Sequence, residues 1–151
     1  MNPRYARRMQ LKIRRLDSTI PLPAYGTHGA AGFDLAAAHD ATISAGRISL
    51  IRTGLVIEVP SGHFLAIVAR SSTPLKRGLI VANGVGVVDS DYSGPDDEVM
   101  IQLLNITDGD VQIKRGDRLA QGLILPAPRI EWMEVDEIGP VTRGGFGATG
   151  S

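Results

Sequence analysis

The stretch PSGHFLAIVARSSTPLKRG, residues 60–78, decides the fold class. Pro60-Ser61-Gly62 is turn chemistry. HFLAIVA at 63–69 is then a short, uniformly apolar run, as expected for a strand buried on both faces. Ser71 to Arg77 is the only segment that reads as helical. Ser71, Ser72 or Thr73 supplies a cap, Pro74 suits the first turn and Gly78 ends the helix quickly. Working outward, period-two alternation recurs on both sides. Met9, Leu11 and Ile13 alternate with polar residues, as do Leu55, Ile57 and Val59, Val99, Ile101 and Leu103, and the short piece Val111-Gln112-Ile113. LAQGLIL at 119–125 is apolar like 63–69. Gly46, Gly54, Gly94-Pro95, Asp108-Gly109 and Arg115-Gly116-Asp117 punctuate these runs. Many short strands between turns predict an all-β sandwich, barrel or jelly roll with one short helix.

Composition agrees. The 151 residues suit one domain, and 18 glycines and 9 prolines against 5% aromatics favour strands and tight turns. A formal net charge of +0 provides no overall field to attract nucleic acid or a membrane surface. The absence of cysteine removes thiolate metal sites and thiol nucleophiles, and fits a reducing compartment. Arg4, Arg7, Arg8, Lys12, Arg14 and Arg15 lead into no apolar signal segment and read as a solvated edge. No stretch has the length of a membrane-spanning helix, so a soluble, cytoplasmic protein is expected.

The chemistry concentrates in NGVGVVDSDYSG, residues 83–94. Apolar Val85, Val87 and Val88 deliver Asp89 and Asp91 two residues apart, a spacing that puts both on one face if the strand continues. Paired acids at a strand end suit water activation, and equally a solvated turn. Arg70-Ser71-Ser72, where the apolar strand meets the helix, offers a planar cation, hydroxyls and amides to an anion, or simply an N-cap beside a surface arginine. Gln121 alternates onto the same side as Leu119 and Leu123, so its amide either ties backbones together or reaches a ligand. Asp34, alone among small and apolar residues, is either a turn residue or one that orients a metal-bound water. His28, His39 and His63 have no metal-ligand spacing, and neither a P-loop nor a GxSxG elbow is present. The final DEIGPVTRGGFGATGS has one large apolar residue, Phe146, among glycines. Its readings are a frayed terminus or a lid.

The order of these elements is more specific than any one of them. AGFDL at 31–35, RSS at 70–72, NGVGVVDSDYSG at 83–94, RLAQ at 118–121 and RGGFGATG at 143–150 resemble the five ordered motifs of the trimeric dUTPase family. The resemblance implies a jelly-roll-like β-barrel subunit forming a homotrimer, with active sites at subunit interfaces and a C-terminal flexible lid. It divides the chain into a core, residues 1–136, and a tail, residues 137–151. The implied reaction is Mg²⁺-assisted hydrolysis of dUTP to dUMP and pyrophosphate. In it Asp89 activates the water that attacks the α-phosphorus. Asn83 and backbone near Gly86 and Val88 pair with uracil, and Tyr92 packs under the deoxyribose. Arg70, Ser71, Ser72 and Gln121 bind phosphates, as does Arg143. Phe146 and Gly147 close over the base, Thr149 lies near the γ-phosphate, and Asp34 touches the metal through water.

The chain departs from the family pattern in three places. RGGFG replaces the usual RGxGGFG, Ala69 and Ser72 replace a proline and a glycine around Arg70-Ser71, and Pro95-Asp96-Asp97-Glu98 lengthens the hairpin after Gly94. Asp96, Asp97 and Glu98 read as a solvated turn. A dCTP deaminase shares the fold and an RSS-like element, but its family places a glutamate for deamination and lacks the DxDY found at 89–92. A nucleotide-binding regulator without turnover and a plain β-rich interaction module are the readings from other classes.

Overall fold

A computed structural model describes residues 9–142 and Gly144. Along the chain run β1 (Lys12–Arg15), β2 (Phe33–Ala36), β3 (Ala41–Ile43), β4 (Ile48–Arg52), β5 (Leu55–Glu58) and β6 (His63–Ala69). They are followed by α1 (Ser72–Arg77), β7 (Leu79–Val81), β8 (Gly86–Val88), β9 (Met100–Asn105), β10 (Val111–Ile113) and β11 (Arg118–Pro126). The all-β expectation with one short helix holds, and 63–69 is a strand over its full length. In β6, consecutive Leu65, Ala66 and Ile67 are all buried, so this strand is covered on both faces as its apolar run requires.

The expected barrel is not formed. The described strands make four separate antiparallel sheets, ordered β2-β11-β6-β8, β4-β9-β7, β1-β5 and β10-β3. Barrel closure requires every edge strand to find a partner. Here β8 ends the largest sheet and β2 gains only an isolated bridge from Phe33 to Tyr25, and most strands are only three to five residues long. Sharp turns move the chain from sheet to sheet before a ladder can wrap round. At Gly54 the backbone is left-handed (φ 69°) between β4 and β5, and a Cβ there would run into Ile20. A register shift between Arg118 and Ala120 also interrupts the β11–β2 ladder.

The sheets share one core. Leu35, Ile43, Leu65, Leu79, Ile101, Leu103, Ile113 and Leu119 are fully buried and come from seven different strands. Burying each such side chain contributes about 1.5–3 kcal/mol. Asn105, also fully buried, satisfies its amide completely. Its Nδ2 donates to the carbonyls of Ile43 and Gly109, both at 2.8 Å, and its Oδ1 accepts from Thr107 N and Oγ1. Glu98 departs from the solvated-turn expectation: only 4% of it is exposed. Lys12, Arg14 and Arg15 are exposed on β1 as a solvated edge, while Arg4, Arg7 and Arg8 lie outside the described residues. No described helix is long and apolar enough to cross a membrane.

Helix α1 is too short to be stable by itself and is held by tertiary bonds. Ser71 is the N-cap by position but makes no side-chain cap bond. Thr73, a candidate cap in the sequence, is instead buried and donates from Oγ1 to the Leu119 carbonyl at 2.8 Å. Gly78 ends the helix in a left-handed conformation (φ 61°), its N–H bonded to the Pro74 carbonyl. At this end Arg77 Nη1 meets Asp117 Oδ2 at 2.8 Å, and the same oxygen accepts the Lys114 N–H at 2.9 Å. Partial burial acts to raise the Asp117 pKa, but the Arg77 and Lys114 hydrogen bonds and the Arg77 charge outweigh it and hold the carboxyl below its usual range.

A carboxyl whose folded pKa is depressed stabilises the fold above its unfolded pKa, and that stabilisation disappears as pH falls through the folded value. Asp117→Asn is therefore expected to cost about 1 kcal/mol near neutral pH. Wild type and variant should converge as the solution is acidified, which urea denaturation at about pH 7 and about pH 2 checks.

Candidate active site

Strand β11 gathers one group of candidates. It pairs with β2 on one side, placing Gln121 opposite Asp34, and with β6 on the other, placing Ala120 opposite Ala69. Gln121 Nε2 donates to the Ala69 carbonyl at 3.3 Å, so its amide ties β11 to the end of β6 while it also faces a cavity. Arg70 follows directly and turns its guanidinium toward β2. Its Nε lies 2.8 Å from Asp34 Oδ1, and Arg118 Nη1 lies 3.0 Å from Asp34 Oδ2. One carboxylate thus sits between two permanent cations. Gly26, Thr27, Asp34, Arg70, Ser71 and Gln121 are among the residues lining an open hollow of about 200 Å³. Its arginine, hydroxyls and amide suit an anion, and Arg118 pairs with the other oxygen of Asp34. Ser72 is half-buried in the first turn of α1.

A second group lies on the hairpin from β7 to β9. Asn83 and Gly84 form its exposed β7–β8 turn, with Gly84 left-handed (φ 71°) and its N–H bonded to the Val81 carbonyl. Gly86 is buried, and a Cβ there would stand 3.0 Å from the Ile67 Cβ. Packing of β8 on β6 therefore already leaves little room for a side chain at 86, apart from any approach of a ligand. Val88 is buried and ends the strand. The shared face expected for Asp89 and Asp91 is not realised through strand periodicity, because Ser90 and Asp91 form a turn closed by the Tyr92 N–H on the Asp89 carbonyl at 3.2 Å. Both carboxylates are exposed. Asp89, Ser90 and Asp91 border a hollow of about 590 Å³ together with His63, Phe64 and Arg129. Tyr92 is 40% exposed, and its Oη donates to the Glu98 carbonyl at 3.2 Å.

Asp89 and Arg70 stand at opposite ends of β6, whereas Asn83, before Gly86 on the antiparallel β8, lies toward the Arg70 end. Leu65 pairs with Val88, so Asp89 follows at the Phe64 end, whereas Arg70 continues from the Ala69 end. From Phe64 to Arg70 is six residues of extended chain, about 20 Å. Arg143, Phe146, Gly147 and Thr149 lie outside the described residues. Sequence reasoning missed Arg118 as part of the site. Its only signal was position within RLAQ, and its role became visible when the β11–β2 pairing brought it to Asp34.

A family model described as dUTPase matches residues 18–150. A relative from Nautilia profundicola, a deoxyuridine 5'-triphosphate nucleotidohydrolase, is 41% identical over 144 residues, covering 94% of this chain and 99% of its own. One of the same name from Desulfotalea psychrophila is 43% identical over 140 residues, covering 90% and 91%. The crystal structure of dUTPase from Streptococcus mutans superposes with a TM-score of 0.74 at 36% identity, over 82% of this chain and all of that one. The chain belongs to the dUTPase family, as its five ordered motifs imply. It is a dUTP diphosphatase, a hydrolase whose family reaction converts dUTP to dUMP and pyrophosphate.

Asp34 holds two arginines in fixed orientation. Asp34→Ala is expected to raise the KM for dUTP about tenfold with a smaller change in kcat, because Arg70 and Arg118 then lose their common acceptor. Steady-state pyrophosphate release checks this. An unchanged KM would show that Arg70 needs no such support.

Proposed function

We propose that this enzyme hydrolyses dUTP by in-line attack of water on the α-phosphorus, with Asp89 positioning the water and accepting its proton. The observation that carries this reading is the placement of an exposed Asp89 at one end of β6 and of the Arg70–Ser71–Gln121 hollow at the other. A separation of about 20 Å is too great for one chain's Asp89 to serve an α-phosphate whose neighbouring phosphates lie in the same chain's hollow. Two copies meeting edge to edge resolve this, which supports a homotrimer with shared sites. In that arrangement Asn83 and the backbone near Gly86 and Val88 pair with uracil, and the Tyr92 ring lies beneath the deoxyribose. Arg70, Ser71, Ser72 and Gln121 of a neighbouring copy hold the phosphates. Pre-placed donors of this kind stabilise the charge that develops on the leaving pyrophosphate.

The residues present fit Mg²⁺ held mainly by the substrate. Among the described residues no group of three or more His, Asp or Glu side chains forms a metal cage. Asp34 Oδ1 is already ion-paired with Arg70, and Oδ2 accepts from Arg118. A hard cation of this kind takes phosphate and water oxygens as ligands, and Asp34 reaches a metal-bound water through a remaining lone pair. When bound, Mg²⁺ supplies charge neutralisation on the triphosphate. The tail, residues 137–151, acts as a lid over the core, residues 1–136. It brings Arg143 and Thr149 to the phosphates and Phe146 and Gly147 to the base. We place the enzyme in the cytoplasm, a reducing compartment that suits a chain without cysteine.

Pyrophosphate release measured with dUTP, dCTP, dTTP and UTP in the presence of Mg²⁺ tests the reading. Release from dUTP alone is expected, and ammonia from dCTP would replace it with deamination. Asp89→Asn keeps the side-chain shape and removes the base. It should bind dUTP nearly as wild type and lose about 10²–10⁴-fold in kcat, and undiminished turnover would sink the role of Asp89. Removing the residues after Pro140 is expected to leave a folded oligomer with little activity. Loss of folding in circular dichroism would make the tail structural instead of a lid.

A further inference from the structure

Glu98 is a buried charged side chain for which the proposed chemistry has no use. Both of its carboxylate oxygens are engaged by the β4–β5 turn. Oε1 accepts the Gly54 N–H at 2.6 Å, and Oε2 accepts Arg52 Nε at 2.7 Å. The next residue continues the attachment through its backbone. Val99 N–H donates to the Leu55 carbonyl at 2.8 Å, and its own carbonyl accepts Thr53 Oγ1 at 2.5 Å. Thr53 is itself 1% exposed. Residues 98–99 are therefore fastened to residues 52–55 by side chain and main chain together. A charge taken out of water is costly unless it is fully paired, and this one is paired twice.

The other side of Glu98 faces the hairpin. Its backbone carbonyl accepts the Tyr92 hydroxyl at 3.2 Å, and the Tyr92 N–H donates to the Asp89 carbonyl at 3.2 Å. A continuous path of hydrogen bonds and chain thus runs from Gly54 through Glu98 and Tyr92 to Asp89. Nearby bonds stiffen the intervening residues. Asp97 Oδ2 accepts the Gly94 N–H at 2.7 Å, and Arg14 Nη1 donates to the Pro95 carbonyl at 3.2 Å. At the Gly54 end the backbone is left-handed, and Ile20 fills the space a side chain would need, so this turn calls for glycine. An apolar residue at 98 would strand the Gly54 amide and free the carbonyl on which Tyr92 hangs.

We propose that Glu98 is a positioning residue for sugar recognition, acting through the Tyr92 hydroxyl to set the height of the tyrosine ring. The inference rests on the reading of Tyr92 as the floor beneath the deoxyribose. A ring held firmly leaves no space for a 2′-hydroxyl, whereas a ring free to drop admits one. Discrimination between dUTP and UTP is then a consequence of the buried carboxylate as well as of the ring.

The test measures kcat and KM for dUTP and for UTP, together with the melting temperature. It compares wild type, Tyr92→Ala, Tyr92→Phe, Glu98→Ala, Glu98→Gln and the Glu98→Ala/Tyr92→Phe double variant. Tyr92→Phe and Glu98→Ala are each expected to reduce the dUTP-over-UTP ratio of kcat/KM roughly fivefold, the effect of one lost hydrogen bond. Glu98→Gln, which keeps an acceptor for Gly54, should recover part of the loss. The double variant should lose no more than the larger single loss, because both changes cut one path. A lowered melting temperature with an unchanged ratio in Glu98→Ala would make the residue purely structural and overturn the proposal, as would multiplying effects in the double variant. If Glu98→Ala fails to fold, Tyr92→Phe at its exposed position still decides, since an unchanged ratio there removes the tether. An unchanged ratio in Tyr92→Ala would instead refute the sugar-floor reading itself, which separates the two failures.

Discussion

Antiparallel pairing of β6 with β11 organises this molecule. Seven registered pairs run from Ala69–Ala120 to His63–Pro126. Each strand then recruits one more neighbour, β8 on β6 and β2 on β11. Leu65, Ala66 and Ile67 of β6 and Leu119 and Ala120 of β11 are buried on both faces, so a change of register would disrupt packing in two layers at once. The register in turn dictates the chemistry. It puts Gln121 against Asp34 and Ala69, and it puts Asp89 at the far end of β6. One ladder therefore builds the Arg70–Gln121 hollow and also separates it from Asp89.

Charge is handled differently at the two ends. Around the hollow every formal charge has a partner: Asp34 lies between Arg70 and Arg118, and Asp117 holds Arg77 at the end of α1. Such pairing orients guanidinium groups before a ligand arrives, which reduces the ordering that binding must impose. Among the described residues no buried side-chain nitrogen or oxygen lacks a hydrogen-bond partner. Asp89 stands apart as an exposed carboxylate on a short turn, supported by backbone.

Particular segments show how far sequence reading carried. HFLAIVA at 63–69 was legible over its full length because a uniformly apolar run between turns has few other solutions. The alternation in β9 was equally clear, with Ile101 and Leu103 inward. That the sheets stay open, contrary to the expected barrel, was not legible. Closure depends on whether edge strands meet across the molecule, and no local pattern encodes that. Thr73 reads as a cap by residue type, yet its hydroxyl belongs to β11, a partner 46 residues away. Asp97 and Glu98 show the same limit: adjacent acids in a turn look alike, but only Glu98 falls against the Gly54 amide.

The sequence by itself determined the all-β class, the strand that anchors the main sheet, the single short helix and, through five ordered motifs, the enzyme family. These depend on short-range periodicity, turn chemistry and motif order, all of which are written along the chain. Tertiary structure alone decided that the sheets stay open, that Asp34 is shared by Arg70 and Arg118, that Ile67 crowds position 86, and that Asp89 and Arg70 lie at opposite ends of one strand. Each of those facts is a distance between residues far apart in sequence. Such distances are set by the register of long-range pairing and by which buried polar group reaches which partner, and those are properties of the packed whole.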